Sequence, residues 1–133
     1  MIRLTKKSEP KVLVDNKTLW LSDLNAELAQ GIALNKCSNS KKYNHSDIKN
    51  ILMEESHGKC IYCESKVRHV DHGEIEHIKP KSMFIIDIFN WNNLGFSCAK
   101  CNNAKGNKYN ASVPTINPFI DNPGVPQKKW THF

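Results

Sequence analysis

The spacing of apolar and polar positions predicts helices in the first half of this chain and short strands in the second. Residues 1–20 hold two apolar patches, Ile2/Leu4 and Val12/Leu13/Val14, separated by a polar run and Pro10, which predicts an extended arm packed on the core rather than one continuous helix. Ser22 is a good N-cap, and the steps of four through Leu24, Leu28 and Ile32 predict a helix over 22–34 whose end Gly31 loosens. The stretch 35–45, NKCSNSKKYNH, has no period and reads as a loop or flexible connector. A second helix follows, capped by Ser46 and ended by Gly58, with Ile48, Ile51, Leu52 and Glu55 on one face.

Beyond Cys60 the pattern changes period. Residues 67–70 and 75–78 predict a hairpin around Asp71, His72 and Gly73, and Pro80 ends its second strand. The run 83–90, MFIIDIFN, is apolar on nearly all sides and fits either a short buried helix or a strand. Residues 94–97 read as a strand and 101–108 as the helix after it. From Ala111 onward Pro114, Pro118, Pro123 and Pro126 rule out regular structure, while Ile116, Phe119, Ile120, Trp130 and Phe133 supply apolar anchors. Such a tail either wraps its own core or docks on a partner.

With 133 residues, 39% of them hydrophobic, one modest core is expected, of a size that benefits from a metal staple. The opening MIRLTKKSEP turns charged too soon for a secretory segment, and no run approaches the roughly 20 apolar residues that cross a bilayer, so a cytoplasmic protein is expected. The formal charge is +6, from 19 basic and 13 acidic residues; four thiolates on one Zn²⁺ would subtract two and leave +4, a mild preference for a polyanion. The bias lies late: residues 98–133 carry Lys100, Lys105, Lys108, Lys128 and Lys129 against Asp121, which marks a candidate phosphate-facing surface.

Four of the five cysteines form two Cys-x-x-Cys pairs, Cys60/Cys63 and Cys98/Cys101, separated by 34 residues. Paired knuckles close a tetrahedral four-thiolate zinc site, and a site filled by four sulfurs has no open position, so its role is structural. Cys37 is left over. His57, His69 and His72 lie near the knuckles and could replace a thiolate, a reading that the four cysteines make unnecessary.

Between the knuckles stand Glu76 and His77, neighbours at the end of a predicted strand. A carboxylate suits a hard cation, and a neutral imidazole suits proton abstraction from water near pH 7. Alone, a Glu-His pair is an ordinary surface pair; Asn93 and Asn102, set among the knuckles, change that reading. Lys105 follows Asn102 by three and shares its helix face, where it either reaches a phosphate or is simply solvated. Lys79, Lys81 and Lys108 are weaker candidates for nucleic-acid contacts. Glu74, two before Glu76, either backs up a metal ligand or forms a salt bridge. Asp87 and Trp91 are assigned to folding.

Together the stretches IEHIKPKS, WNNLGFSC and AKCNNAKGNK resemble the HNH nuclease family over about residues 57–108. That resemblance implies a ββα-metal fold in which His77 is the general base, Asn93 braces the loop holding it, and Glu76 with Asn102 holds one divalent ion. Many members have His where this chain has Asn102, and the amide shifts the expected ion from zinc or nickel towards Mg²⁺ or Mn²⁺. His77 would then deprotonate a water aimed at phosphorus, leaving a 5′-phosphate and a 3′-hydroxyl. The opening MIRLTKK with Pro10, the WNNL and the late INPFIDNP look like the PtuB-type HNH subfamily of the Septu anti-phage system. This implies an SMC-like ATPase partner, PtuA-like, and, since members are often longer, a short form here.

The expectation is therefore a single α+β domain over 1–133. It comprises an N-terminal arm and helices (1–56), a zinc-stapled ββα-metal core (57–110) and an extended proline-rich tail (111–133). The leading function is an HNH endonuclease acting on nucleic acid, DNA ahead of RNA, with structural Zn and catalytic Mg or Mn and no membrane partner. The alternatives are a zinc-stabilised binding module that does not cleave, and an RNA or tRNA nuclease.

Overall fold

The computed structural model describes residues 3–67, 73–106 and 117–120. Its first helix, α1, spans Lys11–Ala29, so the expected arm ends at residue 10 and the helix begins well before Ser22. The reason is local. Pro10 is extended at the N-cap (φ −59°, ψ 142°), and its carbonyl accepts the N–H groups of Leu13 and Val14, both at 3.0 Å. A proline at a helix entrance gives up an N–H that would have had no partner, so it starts this helix where it would break an interior. The helix also stops earlier than expected. Gly31, at φ +85°, donates to the Leu28 carbonyl, and Ile32 donates to that of Glu27, the two bonds of a Schellman end.

The stretch expected as a flexible connector is ordered. It forms two 3₁₀ turns, Leu34–Lys36 and Ser38–Lys41. The Glu27 carboxylate of α1 accepts the N–H groups of Ser38 and Asn39, and Cys37, the leftover cysteine, is fully buried. Helix α2, Ser46–Glu55, buries Ile48, Leu52 and Glu55. Its cap is His45, whose Nδ1 accepts the Asp47 N–H at 3.1 Å, and Ser46 is its first residue.

Strands β1 (Glu74–His77) and β2 (Leu94–Ser97) pair antiparallel, with Glu76 opposite Gly95 and His77 opposite Leu94. The expected hairpin partner at 67–70 lies, beyond Val67, outside the described residues; the partner of β1 among the described residues is β2. Gly73 enters β1 at φ +71° with the Phe96 ring where a Cβ would stand, so only glycine fits that approach. The run 83–90 is neither α-helix nor strand: a 3₁₀ turn at Ile85–Asp87 buries Ile88 and Phe89 while leaving Met83 56% and Ile86 75% exposed. Helix α3, Ala99–Lys105, follows β2 directly.

Residues 4–7 and 117–120 close the molecule over β2. Leu4 donates to the Pro118 carbonyl at 2.8 Å, and Pro118 is fully buried, so this part of the tail wraps its own core. The other tail anchors, Ile116, Trp130 and Phe133, lie outside the described residues. Lys6 is enclosed: its ammonium donates to Glu55 Oε1 (2.9 Å) and the Leu94 carbonyl (2.8 Å) and sits 3.8 Å from the Trp91 ring centroid. Trp91 itself donates to the Lys7 carbonyl, which accords with a folding role. Removing one member of a buried ion pair strands its partner. Lys6→Met is therefore expected to lower the unfolding free energy by about 3 kcal/mol. Urea denaturation checks it, and an unchanged midpoint would show that the pair is not needed.

Candidate active site

The four knuckle sulfurs come together: Cys60, Cys63, Cys98 and Cys101 place their Sγ atoms within 4.8 Å of one another. The Cys63 to Cys98 separation is 3.8 Å, about the ~3.8 Å edge of a tetrahedron whose metal to sulfur bonds are roughly 2.3 Å. Tyr62 N–H points at Cys60 Sγ and Cys101 N–H at Cys98 Sγ, both at 3.4 Å, supporting charge on the sulfurs a metal would bind. Among the described residues no other group gathers three or more His, Cys, Asp or Glu ligand atoms. His57 is not part of the cluster, and His69 and His72 lie outside the described residues. The first knuckle is tied to β2 by the Ile61 N–H donating to Phe96, and the second opens α3.

The acid and histidine stand at the far end of β1, beside a cavity of about 160 Å³ lined by Tyr43, Glu76, His77, Lys81 and Asn102. His77 is buried, and its Nε2 lies 3.0 Å from the Ile88 carbonyl. A carbonyl cannot donate, so Nε2 carries the proton and Nδ1 keeps the lone pair. Burial, only partly opposed by that hydrogen bond, draws the His77 pKa down to about 4, which keeps the ring neutral at neutral pH. Asn93 secures the turn beyond it. Its Oδ1 accepts the Lys79 N–H (2.8 Å), its Nδ2 donates to the Lys79 (3.1 Å) and Asp87 (3.3 Å) carbonyls, and its own carbonyl accepts the Ile78 N–H (3.0 Å).

Glu76 is 3% exposed, and burial raises its pKa to about 7 despite Lys105 at 3.6 Å. The same burial lowers the Lys105 pKa, so desolvation outweighs the attraction within this pair. Glu76 Oε2 has no hydrogen bond of normal geometry; the neighbouring buried Tyr62 hydroxyl is held well above its ordinary pKa, first by burial and then by the Glu76 charge. A buried carboxylate this reluctant to ionise is a place where an added cation is most stabilising.

Asn102 lines the same cavity, but its Nδ2 donates to the Glu74 carboxylate, leaving Oδ1, the atom a metal would use, outside that bond. Glu74 therefore has an amide partner where a salt bridge was one expectation. Glu74 and Asn102 also line an adjoining recess of about 310 Å³ with Tyr43, Asn44 and Lys49. Glu76 and Asn102 thus line one cavity, and Glu74 is bonded to Asn102; carboxylate and amide oxygens are donors of the kind a hard divalent ion takes.

Lys105 corrects an expectation. It is fully buried, and its ammonium donates to the His77 carbonyl at 2.9 Å, so it braces β1 from inside and presents nothing to a phosphate. Sharing a face with Asn102 brought it towards the site, but the sheet covers that face. Lys81 is at the cavity edge, Lys100 is exposed, and Lys108 lies outside the described residues. Three lining residues went unread in the sequence: Tyr43, Asn44 and Lys49. The one available signal was Tyr43, a lone aromatic in an otherwise polar stretch. No helix among the described residues is long and apolar enough to cross a membrane.

With this geometry in place, the comparisons agree with one another. Residues 60–108 match the family model described as HNH endonuclease. A curated Septu protein PtuB from Bacillus thuringiensis is 32% identical over 124 residues, 92% of this chain and 44% of that protein. Another Septu protein PtuB, from Bacillus mycoides (strain KBAB4), is 29% identical over 124 residues, 82% of this chain and 42% of that protein. The chain therefore spans less than half the length of either relative. No solved structure matches it.

Proposed function

We propose, from the match of residues 60–108 to the HNH endonuclease family model, that the chain is a metal-dependent nuclease hydrolysing phosphodiester bonds of nucleic acid, DNA ahead of RNA. The observation that carries this reading is the state of His77. It is a buried neutral imidazole whose Nε2–H is committed to Ile88, and it lines one cavity with Glu76 and Asn102.

His77 Nδ1 takes a proton from water as the water oxygen bonds to phosphorus and the bond from phosphorus to the 3′-oxygen breaks, the departing oxygen taking a proton from solvent to become the 3′-hydroxyl. The imidazolium so formed keeps its Nε2–H on the Ile88 carbonyl, which steadies the new charge. Asn93 fixes the turn through Lys79 and the Asp87 carbonyl, next to the residue that orients the ring. A divalent ion, Mg²⁺ or Mn²⁺, held by Glu76 and Asn102 with Glu74 alongside, would supply Lewis acidity at the phosphate and the leaving oxygen. The four cysteines would hold a structural Zn²⁺.

The likeness to two Septu proteins PtuB supports a Septu setting; the anti-phage role and the SMC-like ATPase partner are what the resemblance of the sequence to that subfamily implies. The test is purified protein, with and without the candidate ATPase, incubated with plasmid, single-stranded DNA and RNA in Mg²⁺ or Mn²⁺ and in chelator. Metal-dependent DNA cleavage is expected. Cleavage of RNA alone would move the substrate, and binding without cleavage in every condition would leave a non-catalytic module.

A further inference from the structure

Tyr43 belongs to neither strand nor to α3, and it lies outside residues 60–108, yet it lines both recesses of the candidate site. Its ring meets the His77 imidazole edge to face, with centroids 4.4 Å apart and planes at 86°. Its hydroxyl accepts a hydrogen bond from Lys81 Nζ at 3.1 Å, and the same ammonium stands 5.0 Å from its ring centroid. The residue is itself fixed, because its carbonyl accepts the His45 N–H at 2.8 Å where the chain enters α2. His77 needs such a neighbour. The Ile88 bond holds one corner of the imidazole, and a half-turn of the ring would break that bond and bring a carbon to where Nδ1 must face water.

We propose that Tyr43 is a positioning residue with two tasks: its ring holds the His77 imidazole in the reactive orientation, and its hydroxyl aims the Lys81 ammonium at the mouth through which the scissile phosphate enters. This rests on the nuclease reading and adds to it a contribution from the N-terminal half of the chain. An edge-to-face contact between an aromatic ring and an imidazole has a defined angle and is suited to orientation rather than proton transfer. A lysine tethered to a phenol at a cavity edge is a preplaced point charge for an anion.

The two tasks separate by substitution. Tyr43→Phe keeps the ring and loses the acceptor, so kcat should stay near that of the unaltered chain while KM rises about threefold, and Lys81→Ala should raise KM similarly. The double variant should be no worse than Lys81→Ala, since both remove one interaction. Tyr43→Ala should lower kcat about tenfold through misorientation of the base, with Phe at the same position restoring it. Imidazole ¹⁵N spectra provide a readout independent of cleavage: one tautomer, protonated at Nε2, in the unaltered chain and in Tyr43→Phe, and averaged signals in Tyr43→Ala. If the unaltered chain and His77→Ala cut alike, or neither cuts, the nuclease reading fails and this one with it. If the unaltered chain cuts, His77→Ala does not, and Tyr43→Ala keeps full kcat with a single tautomer, only the Tyr43 assignment is overturned. Additive KM effects of Tyr43→Phe and Lys81→Ala would overturn the Lys81 half.

Discussion

Stripping the metal from the four-cysteine cluster is expected to unfold residues 60–105 outright rather than merely silence them. The elements there cannot stand alone. A two-stranded sheet is marginal in water, and α3 has seven residues, far below the dozen or so at which an isolated helix holds. What would tie them is a zinc staple across the four-cysteine cluster, whose binding energy, roughly 10–16 kcal/mol for comparable sites, is of the same order as the ~5–15 kcal/mol net stability of an ordinary domain. Cys98→Ser should act like the chelator, because Cys98 is at once one of the four clustered thiols and the residue whose sulfur caps α3. Circular dichroism melts, with and without chelator and alongside metal analysis, read the effect. Zinc-free protein that was never exposed to chelator, or an unchanged melt for Cys98→Ser, would defeat the prediction.

His77→Ala should lower cleavage by a factor of about 10² or more while nucleic-acid binding persists, the usual scale for losing a general base. Its pH behaviour has a defined direction. With a pKa near 4, His77 stays deprotonated through pH 5, so it does not set the acid limb of activity. Glu76 does. Its carboxyl, raised to about 7 by burial, takes up a proton as pH falls below neutrality, and the protonated form is the poorer metal ligand. Activity between pH 7 and pH 5 should therefore fall with metal affinity and recover when Mg²⁺ is increased. An acid limb that added metal cannot move would return the titration to the histidine, and equal cutting by the unaltered chain and His77→Ala would remove it from the reaction.

The features legible in the sequence were those with short-range causes. Cys-x-x-Cys spacing announces its cluster, the short apolar run from Leu94 to Phe96 announces β2, and the Ile48/Leu52/Glu55 stripe announces α2. Pro10 is ambiguous in the sequence because proline is a breaker or a starter according to whether its N–H would have been used, which depends on where the helix begins. The pairing inside the site was not legible. Spacing put Asn102 and Lys105 on one face, but only the position of β1 across that face decides that Lys105 goes to Glu76 and the His77 carbonyl while Asn102 goes to Glu74. Tyr43 was beyond reach for a related reason, since no local pattern reports what a loop will touch far along the chain.

The strand register carries a consequence for how related sequences should be aligned. Each of four residues in β1 has a fixed partner in β2, and a slip of one would carry Glu76 and Glu74 to the face now held by Ile75. Insertions and deletions are therefore excluded from 74–77 and from 93–105, where Asn93, β2 and the second knuckle follow one another without slack. They can accumulate in the connection 82–86, whose Met83 and Ile86 face outward. Gaps in a correct alignment should cluster there, and one that opens a gap between Glu74 and His77 is misaligned whatever its score.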